Sequence, residues 1–319
     1  MYYKKAFDFN DVIFEPVTYG EINSRSLVSL RYVPYITHYS KKQLNGLPII
    51  NAPMDSIGSP NMVNQMVYHG MYGCLGKYYQ YDAPNPWVFK TYGLESEIPI
   101  DRMICLDIAN GYLKKFLNFV KKTRDYNPTS VIMAGNVCTP DGAIAIFNAG
   151  ADIVKVGIAQ GGHCDTKNKA GVGLKQASTI YEIAQEMPEG VMICSDGGIK
   201  KPADIGKAIG LGAHFVMIGT MLAGYDENDG EWIYKGIWPF RKKVGMRFYG
   251  MSSHTANLKH NGGLSTYRTS EGLETIVPYK GPIKHLFQDI CGSLASTCTY
   301  LNIDNLSLLR NHPNLRCIS

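Results

Sequence analysis

Several features are missing from this 319-residue sequence, and each absence excludes a class of protein. The apolar stretch of a secretory signal does not follow Met1, and no hydrophobic run is long enough to span a bilayer. The net charge of +5 comes from scattered lysines and arginines, without the basic block that marks a nucleic-acid-binding tail. We therefore predict a protein that binds neither membranes nor nucleic acids.

The eight cysteines lack the CxxC pairs of a metal site and the dense spacing of a disulfide framework. Several of them, such as Cys105 and Cys194, lie within apolar segments, where a buried and reduced thiol is the usual state. Reduced cysteines indicate a reducing compartment, so the expected location is the cytoplasm.

Short β-branched segments alternate with amphipathic segments along most of the chain, which is 45% hydrophobic. Seven strands are predicted, at Leu47–Met54, Met71–Lys77, Met103–Ala109, Ser130–Val137, Asp152–Ala159, Val191–Gly198 and His214–Met221. An eighth, weaker strand lies near Trp87–Gly93. Helices are predicted at about 59–69, 112–124, 140–149, 172–186 and 202–210. Apolar strands separated by helices predict a parallel sheet that is covered on both faces.

Two α/β architectures fit this alternation: an open doubly wound sheet and a closed barrel. Polar residues or glycines follow almost every predicted strand, namely Asp55, Lys77, Asp107, Asn136, Gly157, Asp196 and Gly219. A barrel brings the C-terminal ends of all its strands to one face, whereas an open sheet offers a single switch point. The sequence therefore predicts a (β/α)8 TIM barrel, with residues 1–319 forming one domain.

Two regions depart from the regular repeat. Between Lys77 and Asp107 the chain is too short for a full βα unit and contains several prolines, so the third βα unit is predicted to be shortened, with a strand but no helix. Residues 225–281 are rich in Gly, Tyr, Lys and Ser and lack strong periodicity, which predicts a long flap over the active site. Helical periodicity resumes at Ile283–Tyr300.

The segment 157–173 contains the strongest candidate for chemistry. Cys164 follows a buried strand, in a loop with glycines on both sides that exposes the thiol for attack on an electrophilic carbon. Thr166 is placed to hydrogen-bond to a leaving group or to pass a proton, and the glycines allow carbonyls to converge on a monovalent cation. A cysteine in such a loop is more often structural than catalytic, so this hypothesis needs support from other motifs.

Support comes from the ends of the last two predicted strands. Asp196-Gly197-Gly198 ends one strand and Gly219-Thr220 ends the next. In barrels, the loops after the seventh and eighth strands commonly bind a phosphate through backbone N–H groups. Asp196 is then placed to accept hydrogen bonds from ribose hydroxyls, although Asp-Gly-Gly alone is equally well explained as a turn.

Taken together and in this order, the motifs resemble the GMP reductase/IMP dehydrogenase family over nearly the whole chain. The matching segments are Phe9–Val12, Asn51–Asp55, the Cys164 loop, Ser195–Gly198, Phe248–Ser253, Tyr267–Gly272 and Val277–Gly281. Features similar to the reductase branch are Cys105–Tyr112, Lys77, Ser270–Gly272 and Ser296–Tyr300. The regulatory domain that the dehydrogenases usually insert after the second strand is missing from the sequence.

The resemblance implies a mechanism. The thiolate of Cys164 adds to C2 of the purine of GMP, or of a closely related guanine nucleotide, ammonia leaves, and NADPH reduces the covalent adduct to IMP. Thr166 and Glu271 relay the proton that ammonia loss requires. Lys77 and Asp107 orient the amine and the cofactor.

The resemblance also implies binding residues and a homotetrameric assembly. The remaining residues expected around the nucleotide are Asp196, Gly197, Gly198, Gly219, Thr220, Gly250, Met251, Ser252, Arg268, Ser270 and Gly272. Those expected around the cofactor are Ser24, Arg25, Tyr78, Asp107, Ile108 and Ala109. A potassium-like ion is expected on the carbonyls of Ala159, Gly161 and Cys164, with Lys167 nearby.

The chain departs from the family pattern at several positions. The loop reads Cys-Asp-Thr-Lys at 164–167 instead of the typical Cys-Thr-Thr-Arg, and an insertion lies around Tyr234–Arg247. His163 and Thr220 replace small residues, and Ala159 replaces a glycine. Three alternatives stay open: oxidation of IMP as in the dehydrogenases, chemistry at C2 without hydride transfer, and nucleotide binding without catalysis.

Overall fold

The computed structural model describes residues 5–31, 35–80, 85–188, 190–267 and 269–318. The strands are β1 (Val12–Phe14), β2 (Tyr35–Ile36), β3 (Gln43–Leu44), β4 (Ile49–Asn51), β5 (Gly73–Leu75), β6 (Val88–Tyr92), β7 (Met103–Asp107), β8 (Val131–Val137), β9 (Ile153–Val156), β10 (Met192–Asp196), β11 (Phe215–Ile218), β12 (Trp232–Lys235), β13 (Lys242–Tyr249), β14 (Glu274–Pro278) and β15 (Leu315–Cys317). The helices are α1 (Pro60–Tyr68), α2 (Lys114–Tyr126), α3 (Pro140–Asn148), α4 (Thr166–Lys169), α5 (Gln176–Glu186), α6 (Pro202–Gly210), α7 (His254–Asn261) and α8 (Lys284–Tyr300).

Eight parallel strands form the barrel, in the spatial order β4-β11-β10-β9-β8-β7-β6-β5. A bridge between Ile50 and Tyr72 joins β4 to the start of β5, where the amide of Tyr72 donates to the carbonyl of Ile49 at 3.0 Å. The barrel fold is therefore confirmed. The weak eighth strand predicted near Trp87–Gly93 is present as β6.

The strands are apolar because the barrel buries both of their faces. All four residues of β9 are buried, and so are all three residues of β4. Helices α1, α3 and α6 each begin with a proline in the first turn, where its missing N–H costs no helical hydrogen bond. This strand-to-helix alternation places the C-terminal end of every barrel strand at one face.

In the first half of the barrel, one more connection lacks a helix in its described residues than the sequence predicted. The connection from β6 to β7 contains no helix, which agrees with the shortened third unit. In addition, the described part of the connection from β5 to β6 (residues 76–80 and 85–87) contains no helix either. Among the described residues, no helix therefore follows β5 or β6 before the next barrel strand, whereas at least one helix follows each of the other six barrel strands.

The flap forms where it was predicted. A bridge between Tyr225 and Gly281 closes its base, and β12, β13 and β14 pair into an antiparallel sheet that carries α7. Gly224 has a φ of +94°, and a Cβ there would clash with the carbonyl of Pro278, so a glycine is needed at this junction. The insertion around Tyr234–Arg247 forms the β12–β13 hairpin.

Within the described residues, no helix is both long enough and apolar enough to cross a membrane.

Candidate active site

A cavity of about 260 Å³ opens at the C-terminal face of the barrel, beneath the flap. The loops that follow β7, β9, β10 and β11 form its walls, and two flap segments, 250–252 and 271–272, cover it. It is the place where a barrel collects binding and catalytic groups from several strands.

Cys164, Thr166 and Glu271 form a hydrogen-bonded chain in this cavity. The Sγ atom of Cys164 lies 3.3 Å from Oγ1 of Thr166, whose hydroxyl donates to Oε2 of Glu271 at 2.6 Å. Cys164 and Thr166 come from the loop after β9, whereas Glu271 comes from the flap, 105 residues beyond Thr166. A partly exposed thiol, a hydroxyl and a carboxylate in series can attack a carbon and move a proton.

Backbone hydrogen bonds join the Cys164 loop to the flap and hold these three side chains in place. Cys164 pairs with Gly272 in an antiparallel bridge, and the amide of Asp165 donates to the carbonyl of Glu271 at 2.6 Å. A Cβ at Gly272 would clash with the backbone of Ser253, so the close approach of the flap requires a glycine. The geometry of the three side chains is therefore set by main-chain pairing rather than by flexible contacts.

Lys155 is a site residue that the sequence analysis missed. Its side chain is 1% exposed, and its ammonium group forms ion pairs with Asp107 and, at 3.1 Å, with Oδ2 of Asp196. Burial disfavours the charged form, but the two carboxylates outweigh this effect and raise the pKa of Lys155 well above its usual value. The signal was a lone lysine inside an apolar strand, a position where lysine is rarely found unless it is paired.

Asn136 completes the polar floor of the cavity. Its side-chain amide donates to Oδ2 of Asp196 and to the carbonyl of Gly157, each at 2.8 Å. Its own side-chain oxygen is buried and has no hydrogen-bond partner. The two hydrogen bonds of the side-chain amide join the ends of β8, β9 and β10 at the floor of the cavity.

The segments expected to bind the nucleotide surround the same cavity. Gly197 and Gly198 have φ values of +100° and +81°, and the amide of Gly198 donates to the carbonyl of Gln160 at 2.8 Å. A Cβ at Gly197 would approach the backbone of the Cys164 loop too closely, so this glycine allows the two loops to touch. The predicted nucleotide residues that line the cavity are Asp196, Gly197, Gly198, Gly219, Thr220, Gly250, Met251, Ser252 and Gly272.

Of the two other predicted nucleotide residues, the one that the structure describes does not line the cavity. Ser270 lies just outside, where its hydroxyl is 3.5 Å from the carbonyl of Gly272. Arg268 lies outside the described residues.

His163 precedes Cys164 and is buried. Its ring packs edge-on against Phe248, with the centroids 4.6 Å apart. Burial lowers the pKa of His163 below its usual value, so the imidazole is neutral at neutral pH.

The expected cation loop adopts an unusual backbone. Ala159 has a φ of +63°, a left-handed conformation that favours the glycine found at this position in the family pattern. Ala159, Gly161 and Cys164 line the cavity, whereas Lys167 does not. The carbonyl of Gly161 accepts a hydrogen bond from the amide of Cys164 at 3.0 Å, which leaves one lone pair for a cation. Across the part of the chain that the structure describes, no three His, Cys, Asp or Glu side chains gather as a metal site.

The residues expected around the cofactor fall into two groups. Asp107, Ile108 and Ala109 line the Cys164 cavity. Lys77 and Tyr78 instead line a neighbouring cavity, formed with residues 91–100 of the helix-free connection. The structure therefore does not bring Lys77 into the cavity that holds Cys164.

Tyr78 makes one further contact, and Ser24 and Arg25 lie apart from both groups. The ring of Tyr78 stacks on His260 of the flap, with the centroids 3.5 Å apart. Ser24 caps the short 3-10 helix Arg25–Leu27, which packs against α8 and outside the Cys164 cavity. Within one chain, the residues expected to contact the cofactor therefore do not lie together in one cavity.

Comparisons with known proteins agree with this fold. Residues 96–319 match the family model described as "IMP dehydrogenase / GMP reductase domain". Among similar curated proteins, GMP reductase of Photobacterium profundum is 39% identical over 94% of this chain and 91% of its own length. Human GMP reductase 1 is 38% identical over 95% of this chain and 92% of its own, and GMP reductase of Caenorhabditis elegans is 36% identical over 95% and 89%.

Fold and site define a (β/α)8-barrel protein with a cysteine, a hydroxyl and a carboxylate at the mouth of the barrel. The chain belongs to the IMP dehydrogenase/GMP reductase family.

Proposed function

We propose that the protein is an oxidoreductase, a GMP reductase that converts GMP to IMP and ammonia with NADPH. The proposal rests on the hydrogen-bonded series Cys164, Thr166 and Glu271 in the barrel cavity. The polypeptide that forms this cavity belongs to the IMP dehydrogenase/GMP reductase family. The three relatives named above are GMP reductases, which supports this reaction over the oxidation of IMP.

The proposed chemistry begins with the thiolate of Cys164. It adds to C2 of the guanine ring, and the C2–N bond to the amino group then breaks. The amino group cannot leave as an amide anion at neutral pH, so Thr166 and Glu271 deliver the proton with which it departs as ammonia. The carbon–sulfur bond breaks when C2 receives a hydride, which regenerates the thiolate and releases IMP.

NADPH, when bound, supplies that hydride. Asp107, Ile108 and Ala109 line the same cavity as Cys164, so they fit the reactive end of a nicotinamide cofactor. Lys77 and Tyr78, in the adjoining cavity, fit a more distant part of it. The family supports a nicotinamide cofactor in general, and the preference for NADPH is part of the proposal.

Lys155 acts in this scheme through other residues. It holds the carboxylate of Asp107, on the cofactor side, and that of Asp196, which is proposed to bind the ribose. Because its single positive charge lies between the two carboxylates, it reduces the repulsion between them and holds both in place. Lys155 is therefore a positioning residue.

The proposal extends to assembly and surroundings. Residues 1–319 act as one domain, and four copies form a homotetramer in which Ser24 and Arg25, remote from the Cys164 cavity of their own chain, serve a neighbouring site. The left-handed loop at Ala159 binds a potassium ion through carbonyls. Buried thiols such as Cys105 and Cys194 support a cytoplasmic location.

The test is to incubate the protein with GMP and NADPH, follow the absorbance of the reduced cofactor, and measure the protein mass. We expect NADPH consumption and a GMP-dependent adduct on Cys164 that is absent in Cys164→Ala. Oxidation of IMP with NAD and no reaction with GMP would favour the dehydrogenase activity. Ammonia released without cofactor consumption would favour C2 chemistry without hydride transfer, and nucleotide binding without turnover would favour a binding protein.

A further inference from the structure

The imidazole of His163 lies between two hydroxyl groups from different parts of the site. Its Nδ1 lies 3.2 Å from Oγ1 of Thr220, in the turn after β11. Its Nε2 lies 2.7 Å from Oγ1 of Thr275, on flap strand β14. With the residue only 7% exposed and its ring packed against Phe248, the side chain has a fixed position and a partner at each end.

The backbone of His163 also belongs to the contact between the catalytic loop and the flap. Its carbonyl accepts a hydrogen bond from the amide of Leu273 at 3.0 Å, next to the bridge between Cys164 and Gly272. The docking of β14 on this loop therefore sets where Glu271 stands relative to Cys164. A change in the hydrogen bonds of the His163 side chain is therefore expected to affect this contact between the Cys164 loop and β14.

The direction of the two side-chain hydrogen bonds depends on which ring nitrogen carries the hydrogen. A neutral imidazole donates from one nitrogen and accepts at the other. When Nδ1 carries the hydrogen, the ring donates to Thr220 and accepts from Thr275. The hydroxyl hydrogen of Thr220 is then free for another acceptor.

Thr220 lines the cavity beside Gly219, where the proposed function places the phosphate of the nucleotide. A fully ionised phosphate only accepts hydrogen bonds, so it pairs with Thr220 only when the hydroxyl hydrogen points toward it. The phosphate thereby favours the tautomer with hydrogen on Nδ1. In that tautomer, the hydrogen bonds from Thr275 through His163 and Thr220 to the phosphate all point in one direction, which strengthens each of them.

We propose that His163 is a positioning residue that couples phosphate binding at Thr220 to the docking of flap strand β14 on the Cys164 loop. The inference rests on the proposed function, because it needs a phosphorylated ligand in the cavity. Coupling of this kind is reciprocal. Phosphate binding raises the equilibrium constant for flap docking, and a docked flap raises the affinity for phosphate by the same factor.

The test uses His163→Phe, which keeps an aromatic ring against Phe248 and removes both hydrogen bonds. The probes are GMP and guanosine, which differ only in the phosphate. We expect the wild-type protein to bind GMP more tightly than guanosine, and His163→Phe to reduce this affinity ratio about tenfold, the range of one to two hydrogen bonds. Guanosine affinity should stay the same, which shows that the variant is folded.

Hydrogen exchange provides a readout that activity alone would not. In the wild-type protein, GMP should slow amide exchange in residues 271–275, whereas guanosine should not. Thr275→Val should abolish this slowing, and Thr275→Ser, which keeps the hydroxyl, should retain it. Thr255→Val is the matched control, because it removes a flap hydroxyl that bonds to Glu274 and not to His163.

The outcomes separate the two proposals. If wild-type protein fails to bind GMP, the proposed function is overturned, and the coupling with it. If GMP binds but His163→Phe and Thr275→Val both keep the wild-type affinity ratio and exchange pattern, the coupling alone is overturned. If His163→Phe does not fold, the comparison of Thr275→Val with Thr275→Ser decides.

Discussion

The two sides of the barrel mouth are built differently. On the side of β9, β10 and β11, short glycine-rich loops touch one another and the flap, as where the amide of Gly198 bonds to the carbonyl of Gln160. On the side of β5 and β6, the described connections contain no helix, and Lys77 and Tyr78 face a cavity of their own. The first side is closed by backbone hydrogen bonds, whereas the second is closed by a stack of Tyr78 on His260.

This difference shows which of the proposed binding groups one chain brings together in a single cavity and which it does not. The groups proposed to bind and attack the nucleotide already surround one cavity. The groups proposed to bind the cofactor are divided between two cavities and a distant 3-10 helix. The groups proposed for substrate chemistry therefore meet within one chain, whereas those proposed for cofactor binding do not gather at one place in it.

We call the side of β9, β10 and β11 the nucleotide side and the side of β5 and β6 the cofactor side, after the ligands proposed for them. The largest effect is expected on the nucleotide side, from Glu271→Gln. An amide cannot supply a proton through Thr166 to the departing amino group, so kcat for GMP reduction should fall by about 100-fold to 10,000-fold, with little change in GMP affinity. Steady-state kinetics and equilibrium binding of GMP measure the two quantities. Glu274→Gln, three residues along the flap and paired with Arg247, is the control and should keep most of the activity. An equal loss in both variants would assign the effect to flap structure.

Lys155→Met should have the next largest effect, because it leaves Asp107 and Asp196 close together without their shared cation. Removing one partner of a buried ion pair costs on the order of 3 kcal/mol. We expect a loss of this size in the free energy of unfolding, measured in urea. Adding Asp107→Asn to Lys155→Met should restore part of it. A double variant no more stable than Lys155→Met would show that the lysine is needed for packing rather than for charge.

The sequence predicted the nucleotide side better than the cofactor side, for physical reasons. Strands buried on both faces leave a clear apolar pattern, and loop residues such as Cys164 stand in short local motifs. Lys155 was overlooked because a single lysine in an apolar strand gives no sign of its two carboxylate partners. The contacts of His163 join residues 57 and 112 positions apart, which no local pattern encodes.

The position of Lys77 could not be predicted, because it depends on connections that lack helices. A regular βα unit fixes the direction of the chain after each strand, since the helix must pack back on the barrel. Without a helix after β5 or β6 in the described connections, nothing in the local sequence determines which cavity Lys77 faces.

A smaller effect, on the cofactor side, is expected from Tyr78→Ala. Loss of the ring removes the stack on His260 and one wall of the second cavity, so KM for NADPH should rise severalfold while GMP affinity stays constant. Initial rates at varied NADPH and saturating GMP give the result. Tyr181→Ala, an exposed tyrosine on α5, is the control. A fall in GMP affinity instead would mean that the two sides of the mouth are not separate.

The smallest effect is expected from Ala159→Gly, in the loop proposed to hold the cation. At a φ of +63°, a residue with a Cβ costs about 1–2 kcal/mol, and the greater flexibility of glycine in the unfolded chain offsets about 0.4–1 kcal/mol of the relief. The melting temperature should therefore rise by a degree or so. Ala170→Gly is the matched control, because Ala170 has a φ of −110° and the change adds only flexibility, so its melting temperature should fall. Equal decreases in the two variants would show that the left-handed turn beneath Cys164 is not strained, and that the nucleotide side tolerates alanine there without cost.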